Sequence, residues 1–144
     1  MANTRRDQKH LALDSNVLIA YLDLEHPQHS RASSLAHRRV ALNPTVVHEC
    51  YHTLVFKMKW SSIEAAETLR EMLDDNHILF LNQTKDTAKT GLKFAERYRL
   101  GGRDALILAN FVNPSISEFV TFDKELIRLR RVEHGNRKLT IRPM

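Results

Sequence analysis

Residues 11–19 read LALDSNVLI, a short apolar run that ends in an acid, followed by two polar residues and a second apolar run. The first run, from Leu11 to Asp14, predicts a short buried strand, because brief continuous apolar runs are typical of strands covered on both faces. Ser15 or Asn16 is expected to cap a short helix over residues 17–22. The segment therefore predicts a strand that leads directly into a helix.

The same alternation of strand and helix continues outward from this segment. Strands that alternate with helices are typical of a parallel sheet with helices on both faces, and we predict that architecture. The further predicted strands are residues 40–42, 78–81, 118–122 and 139–141, the last at the sheet edge, and the predicted helices are residues 27–39, 45–59, 62–74, 84–99, 103–112 and 124–131.

The length of 144 residues predicts one domain over residues 1–144, in which the polar residues 1–9 form a flexible tail. The apolar stretches are too short to span a bilayer, and we predict no membrane association. No apolar segment follows the charged N-terminus, so a signal peptide is not expected. Cys50 is the single cysteine and excludes a disulfide within the chain, which favours a cytoplasmic location.

Four acidic residues occur where predicted strands end or predicted helices begin. Asp14 ends the first strand, Glu49 lies early in a helix, Asp104 begins a helix after Gly101-Gly102, and Asp123 follows the strand at residues 118–122. Ligands of open α/β folds bind outside the carboxyl ends of the strands. Four carboxylates converging there would repel each other unless a cation lay among them. Oxygen ligands favour Mg²⁺ or Mn²⁺, which predicts a metal-dependent phosphodiesterase.

Each acid also has a structural interpretation. Asp14 and Asp123 could cap the helices that follow them, and Asp104 could be a first-turn acid favoured by the helix dipole. Glu49 is harder to explain in this way, because a lone carboxylate in an apolar helix is costly to bury. The metal-site hypothesis explains all four positions at once.

The net charge of +5 and the pI of about 9.6 favour a polyanionic partner such as a nucleic acid. An acidic cluster within a basic protein suits a nuclease, because basic side chains attract the phosphate backbone towards the metal. Five basic residues near the acidic motifs are the predicted phosphate contacts: Arg103, Lys57, Lys59, Arg97 and Arg99.

Four segments resemble the motifs of PIN-domain nucleases, in the order that the family has them. They are Leu13-Asp14-Ser15-Asn16-Val17-Leu18-Ile19, Pro44-Thr45-Val46-Val47-His48-Glu49, Gly102-Arg103-Asp104-Ala105-Leu106-Ile107-Leu108-Ala109 and Thr121-Phe122-Asp123. The resemblance covers nearly the whole chain, and the ordered set is more specific than any single motif.

The resemblance implies a Rossmann-like α/β/α sandwich that acts as a Mg²⁺- or Mn²⁺-dependent endoribonuclease. Many small members are similar to the toxin half of VapBC-type toxin–antitoxin modules, often as homodimers, so it also implies an antitoxin partner; an RNA-processing role stays open. By motif, Asp14, Glu49, Asp104 and Asp123 would be the catalytic metal ligands. Asn16 would be an orienting residue beside them, and the Thr121 hydroxyl would hold a carboxylate or water.

A competing motif overlaps the second segment. Residues 48–52 form His48-Glu49-Cys50-Tyr51-His52, which matches the H-E-x-x-H pattern of zinc metalloproteases. The metzincin extension is missing, and this interpretation leaves Asp14, Asp104 and Asp123 unexplained. A non-catalytic nucleic-acid binding module is the third alternative, but it gives the four acids no purpose.

Overall fold

The computed structural model of the protein describes residues 9–144, so the tail predicted for residues 1–9 lies outside it except for Lys9. The strands are β1 (His10–Leu13), β2 (Val40–Leu42), β3 (Ile78–Phe80), β4 (Ile116–Thr121), β5 (Arg131–His134) and β6 (Arg137–Pro143). The α-helices are α1 (Ser15–Leu22), α2 (His29–Ala32), α3 (Pro44–His52), α4 (Ser62–Leu73), α5 (Lys85–Tyr98), α6 (Gly102–Phe111) and α7 (Lys124–Leu129).

The six strands form one sheet in the order β3-β2-β1-β4-β6-β5. All neighbouring pairs are parallel except β5 and β6. This result confirms the predicted α/β sandwich with a mainly parallel sheet. The chain starts in the middle at β1, moves outward to β3 and returns to the other side of β1 with β4. The direction of winding therefore reverses between β1 and β4, which is where open α/β sheets bind their ligands.

The core lies between the sheet and its helices. The central strands β1 and β2 are almost fully buried, which explains why both read as uninterrupted apolar runs. Phe94, Phe111 and Phe119 are among the largest fully buried side chains, and the Cys50 thiol lies in the same core. No helix among residues 9–144 is both long and apolar enough to cross a bilayer.

Two predicted helices differ from the observed ones. The helix predicted for residues 27–39 is only the short α2, followed by a 3-10 segment at Ser33–His37. The hydroxyls of Ser33 and Ser34 each donate to a carbonyl three residues earlier, at Ser30 and Arg31, which favours a tighter turn than an α-helix.

The helix predicted for residues 45–59 ends as α3 at His52 and continues as a π-helical turn, Thr53–Lys57. The backbone N–H of Met58 closes this wide turn by donating to the Thr53 carbonyl, at 3.0 Å. Two β-branched residues, Thr53 and Val55, weaken a regular α-helix at this point.

The sequence analysis missed one strand and misplaced another. The segment predicted as the edge strand, residues 139–141, is the middle of β6, which pairs with both β4 and β5. The true edge strand is β5, joined to β6 by a two-residue turn at residues 135–136. Gly135 has φ of +63°, a value that hairpin turns require and glycine adopts without strain. The pair Gly135-Asn136 is typical of a hairpin turn and could have identified β5 in the sequence.

Candidate functional site

The four acidic residues occupy three kinds of position at the carboxyl edge of the sheet. Asp14 follows β1 and caps α1, and its carboxylate accepts from the Ser15 N–H at 2.8 Å. Asp123 follows β4 and caps α7. Glu49 lies in the second turn of α3, and Asp104 lies in the first turn of α6. The prediction that Ser15 or Asn16 caps α1 was therefore wrong, and the structural interpretation of Asp14 as a helix cap is confirmed.

The acids are close enough to affect one another's protonation. Burial raises the pKa of Asp14 to about 6, and the charges of Asp104 and Glu49 add to the rise. Burial also raises the pKa of Glu49, and Asp104 contributes to that shift. The pKa of Asp104 is raised by burial and by the charge of Asp123. Asp104 is therefore the common neighbour of the other three, and the structure brings all four into one electrostatic cluster.

A hydrogen-bond network fixes the most buried member of this cluster. Asp14 is only 6% exposed and Thr121 is fully buried. The Thr121 hydroxyl donates to Asp14 Oδ2 at 2.7 Å. The Thr121 hydroxyl oxygen in turn accepts from Asn16 Nδ2 at 3.3 Å and from the Asp123 N–H at 3.0 Å. Asn16 in turn accepts from the Phe122 N–H at 3.2 Å. The network ties the end of β1 to the end of β4.

Glu49 differs from Asp14 in how its oxygens are used. Glu49 Oε2 lies 3.7 Å from an Arg103 guanidinium nitrogen, and the Arg103 side chain is 78% exposed. Glu49 Oε1 is buried and has no hydrogen-bond partner among the described residues. A buried carboxylate oxygen normally accepts at least one hydrogen bond, so an unused acceptor in an acidic cluster suits a cation.

The donor set fits a hard divalent cation by type, because it consists of carboxylate oxygens. Within residues 9–144, however, no three His, Cys, Asp or Glu side chains are already grouped to hold a metal ion. Mutual repulsion and the Arg103 contact are sufficient reasons for carboxylates to be neighbours without forming a coordination shell. The cluster has the right chemistry for Mg²⁺ or Mn²⁺, and its final geometry requires side-chain adjustment.

The residues predicted to contact RNA differ in their distance from the acidic cluster. Arg103 lies directly beside Glu49, as described above. Lys57 is the last residue of the π-helical turn and Lys59 lies two residues beyond it, so both follow Glu49 by more than two helical turns. Arg97 donates to the Glu133 carbonyl at 3.4 Å and lies over the Tyr98 ring, so it contacts the β5 segment. Arg99 ends α5 in a left-handed conformation.

The sequence analysis did not identify Asn43 as part of this edge. The pairing of Ala12 with Ala41 in parallel strands, continued by two residues, places Asn43 beside Asp14. Asn43 is fully buried and caps α3 by accepting from the Val46 N–H at 2.9 Å. Its Nδ2 has no partner among the described residues. The available signal was a polar residue at the end of a buried strand, the same signal that identified Asp14.

The three side chains of the H-E-x-x-H motif contact different parts of the structure. Glu49 faces Arg103 and Asp104, as its ion pair and electrostatic neighbours show. His48 lines a cavity of about 320 Å³ between α3 and α4 with Tyr51. His52 instead packs against the Phe56 ring. The geometry therefore gives the zinc protease interpretation no support.

Comparisons with known proteins agree with the fold. The PIN domain family matches residues 11–132. A comparison with curated protein sequences gives no significant match. Several solved structures share the fold at low sequence identity.

VapC20 of Mycobacterium tuberculosis, described as a sarcin-ricin loop cleaving toxin, has a TM-score of 0.68 and 18% identity, over 79% of this chain and 90% of that one. VapBC2 of Rickettsia felis, bound to a promoter DNA fragment, has a TM-score of 0.63 and 15% identity, over 93% of this chain and 98% of the other. A toxin–antitoxin complex of Klebsiella pneumoniae has a TM-score of 0.60 and 18% identity, over 81% and 89%. These likenesses show a shared fold, and because the family match spans most of the sequence, this chain belongs to the PIN domain family.

Proposed function

We propose that this PIN domain is a Mg²⁺- or Mn²⁺-dependent endoribonuclease that hydrolyses RNA phosphodiester bonds. The observation that carries the proposal is the convergence of Asp14, Glu49, Asp104 and Asp123 at the point where the sheet reverses its winding. Asp14 and Asp123 also cap helices, but bringing the acids together has a cost in stability, because burial and the neighbouring like charges raise the pKa of Asp14 and of Asp104. A site that costs stability in this way is expected to serve a ligand.

The four carboxylates would hold the cation, which supplies charge neutralisation and a water activated for attack on the phosphate. Asp14 is held in position by the Thr121 hydroxyl, and Asn16 keeps that hydroxyl in place through its amide. This support matters because a small displacement of a metal-binding carboxylate lowers the rate of the reaction.

Arg103 is the proposed phosphate contact nearest to the cluster. Its ion pair with Glu49 is long and exposed, and pairs of this kind contribute little to stability. The guanidinium can therefore turn from Glu49 to an incoming phosphate at little cost. The exposed cations Lys57, Lys59, Arg97 and Arg99 would contribute at longer range.

The proposal includes a protein partner and a biological setting. The VapBC2 and Klebsiella complexes share this fold, which supports an antitoxin partner for the present chain. A homodimer and a cytoplasmic location complete the proposal. Light scattering during size-exclusion chromatography would test the homodimer directly, since a monomer has a mass of 16.7 kDa.

The decisive experiment is cleavage of labelled structured RNA, including a sarcin-ricin loop fragment, by wild type, Asp14→Asn and Asp104→Asn. Cleavage is expected with Mn²⁺ or Mg²⁺, and is expected to disappear with EDTA and in both variants. Glu96→Gln is the matched control, because it removes one exposed carboxylate from α5, outside the cluster.

Other outcomes of the same experiment identify the alternatives. Metal-independent RNA binding without cleavage in any RNA would favour the non-catalytic binding module. Zn²⁺-dependent hydrolysis of casein that requires His48 and His52 would favour the protease. Cleavage that survives Asp104→Asn would contradict the proposed metal site.

A further inference from the structure

The end of α3 carries an exposed group of aromatic and basic side chains that the proposed catalytic cluster does not use. We call His52, Phe56, Lys57 and Lys59 the stacking patch. The rings of His52 and Phe56 lie 4.9 Å apart between centroids, at an interplanar angle of 37°. Phe56 is 60% exposed, and His52 is also exposed. The two rings therefore form a preassembled aromatic surface that faces solvent.

The backbone beneath the patch is held firmly, so the exposure of Phe56 does not reflect a loose segment. The π-helical turn places Leu54 in the core with no exposure. The Trp60 N–H donates to the Leu54 carbonyl at 2.9 Å, and the Trp60 ring packs against the core. Lys59 has φ of +64°, an uncommon value for a residue with a Cβ, and its Nζ donates to the Phe56 carbonyl at 3.3 Å. π-helical turns are frequently found at functional sites.

The charge of this segment suits a polyanion. Residues 50–63 contain two lysines and no acidic residue. Exposed aromatic rings flanked by lysines are a combination that binds single-stranded nucleic acid, because bases stack on rings while lysines contact phosphates. A protein partner would need an apolar surface of several residues, whereas Phe56 is the one largely exposed apolar side chain of the patch.

The patch is aligned with the proposed catalytic cluster. Glu49 and His52 are three residues apart in α3 and so lie on neighbouring turns of one face, and the His52 ring contacts the Phe56 ring in the π-helical turn that follows. The rise of an α-helix puts Phe56 roughly 10 Å beyond Glu49. Stacked nucleotides are separated by about 3.4 Å, so this length corresponds to about three nucleotides.

We propose that the stacking patch is a nucleotide subsite, in which a base of single-stranded RNA about three nucleotides from the cleaved bond stacks on Phe56 and His52. This inference rests on the proposed ribonuclease function. It names the substrate as RNA that is unpaired on one side of the cut, and it gives His52 of the H-E-x-x-H motif a role in binding.

The test compares Phe56→Ala, Phe56→Trp and His52→Ala with wild type. Leu92→Ala is the matched control, because Leu92 is also a largely exposed apolar residue, at 71%, and lies on α5. With an RNA that wild type cleaves in Mn²⁺, Phe56→Ala is expected to raise KM by at least about fivefold with little change in kcat. Phe56→Trp is expected to retain wild-type KM, since it keeps a planar ring. A rise in KM for Phe56→Ala no larger than that for Leu92→Ala would overturn the proposal.

An abasic scan gives the second readout. In this scan one base at a time is removed from the RNA. Cleavage by wild type is expected to weaken when the missing base is at one particular flanking position. Removal of that same base is expected to have no further effect on cleavage by Phe56→Ala. If removal of each base weakened cleavage by wild type and by Phe56→Ala to the same extent, the proposed subsite would be wrong. A lower molar mass of Phe56→Ala with unchanged RNA affinity would likewise overturn it, and would assign the patch to a protein contact.

Binding without metal separates this inference from the ribonuclease proposal. Fluorescence anisotropy of a short labelled single-stranded RNA in EDTA measures binding without cleavage, and the difference between wild type and Phe56→Ala gives the contribution of the patch. Loss of affinity in Phe56→Ala, with no cleavage by wild type in any metal, would support the binding subsite while the proposed activity fails. Normal Mn²⁺-dependent cleavage with unchanged affinity in Phe56→Ala would leave the activity intact and refute the subsite.

Discussion

The Thr121 hydroxyl has one hydrogen to donate and two lone pairs that accept. Both lone pairs are occupied by N–H donors, from Asn16 and from the Asp123 backbone, so its hydrogen can only be directed at Asp14. Thr121 is therefore the donor and the Asp14 carboxylate the acceptor of this hydrogen bond. The bond favours the charged form of Asp14 and lowers its pKa against the effect of burial.

Replacing Thr121 tests this network at the scale of one residue. Thr121→Val keeps the shape of the side chain but leaves the Asn16 amide and the Asp123 N–H without their acceptor. We expect the free energy of unfolding to fall by about 1–3 kcal/mol, the cost of unsatisfied buried polar groups. The pKa of Asp14 should rise, so RNA cleavage should require a higher pH. Denaturant titration and a pH–rate profile measure the two effects.

Thr121→Ser is the control, because it restores the hydroxyl. Wild-type stability and pH dependence in Thr121→Val would show that the network does not position Asp14. The contact between Thr121 and Asp14 agrees with the resemblance, which implied that the Thr121 hydroxyl holds a carboxylate or water. Asn43 was missed although it too ends a buried strand, because its relation to Asp14 depends on the register of β1 and β2.

Helices α5 and α6 meet at a contact that limits residue size. A Cβ placed on Gly91 of α5 would lie 3.2 Å from the Leu106 Cα in α6, so the two backbones approach closely there. Asp104 is two residues before Leu106 on the same helix. Displacing α6 would therefore move the central member of the acidic cluster.

Gly91→Val is expected to destabilise the protein by about 1–3 kcal/mol, through overpacking against a backbone that cannot rotate away. Cleavage should fall further than stability alone explains, because Asp104 is displaced. Thermal unfolding and cleavage rates at a temperature well below the transition measure the two effects. Gly102→Ala is the control, since nothing lies within 4 Å of its Cβ position. Equal stability of Gly91→Val and Gly102→Ala would contradict the close approach.

The elements differ in how well the sequence predicted them. Strand β2 was predicted at its observed bounds, because a buried strand reads as an apolar run ended by Asn43-Pro44. The edge strand β5 was missed, since its charged, partly exposed residues resemble a loop until β6 supplies hydrogen bonds. The π-helical turn was also missed, because it keeps an apolar spacing similar to that of the α-helix.

The stability of the whole molecule should depend on pH and metal in a defined direction. The pKa of Asp14 is raised to about 6 from its ordinary value of 3.8, so between these values the folded protein binds more protons than the unfolded chain. Stability without metal should therefore fall as the pH rises from about 4 through 6. For Asp14 alone the loss is about 3 kcal/mol. Thermal unfolding in EDTA across this range measures it.

Two comparisons distinguish the effect of the acidic cluster on stability from the effects of the other titrating groups. Mg²⁺ or Mn²⁺ should raise the unfolding temperature at pH 7 and much less at pH 4, because protonated carboxyls are poor ligands. Asp104→Asn should be more stable than wild type without metal, gain less from metal and lose cleavage. A variant that is less stable than wild type in EDTA would identify Asp104 as a structural residue of α6.

The buried thiol has a practical consequence for such measurements. Burial raises the pKa of Cys50 to about 12, and the side chain has no exposure. Only thiolates react readily with maleimides, so the native chain should remain unmodified at neutral pH. A second cysteine introduced at the exposed position Leu24, which is 79% exposed, would then be the single attachment point for a fluorophore. The protein can be labelled at one chosen site without first removing its own cysteine.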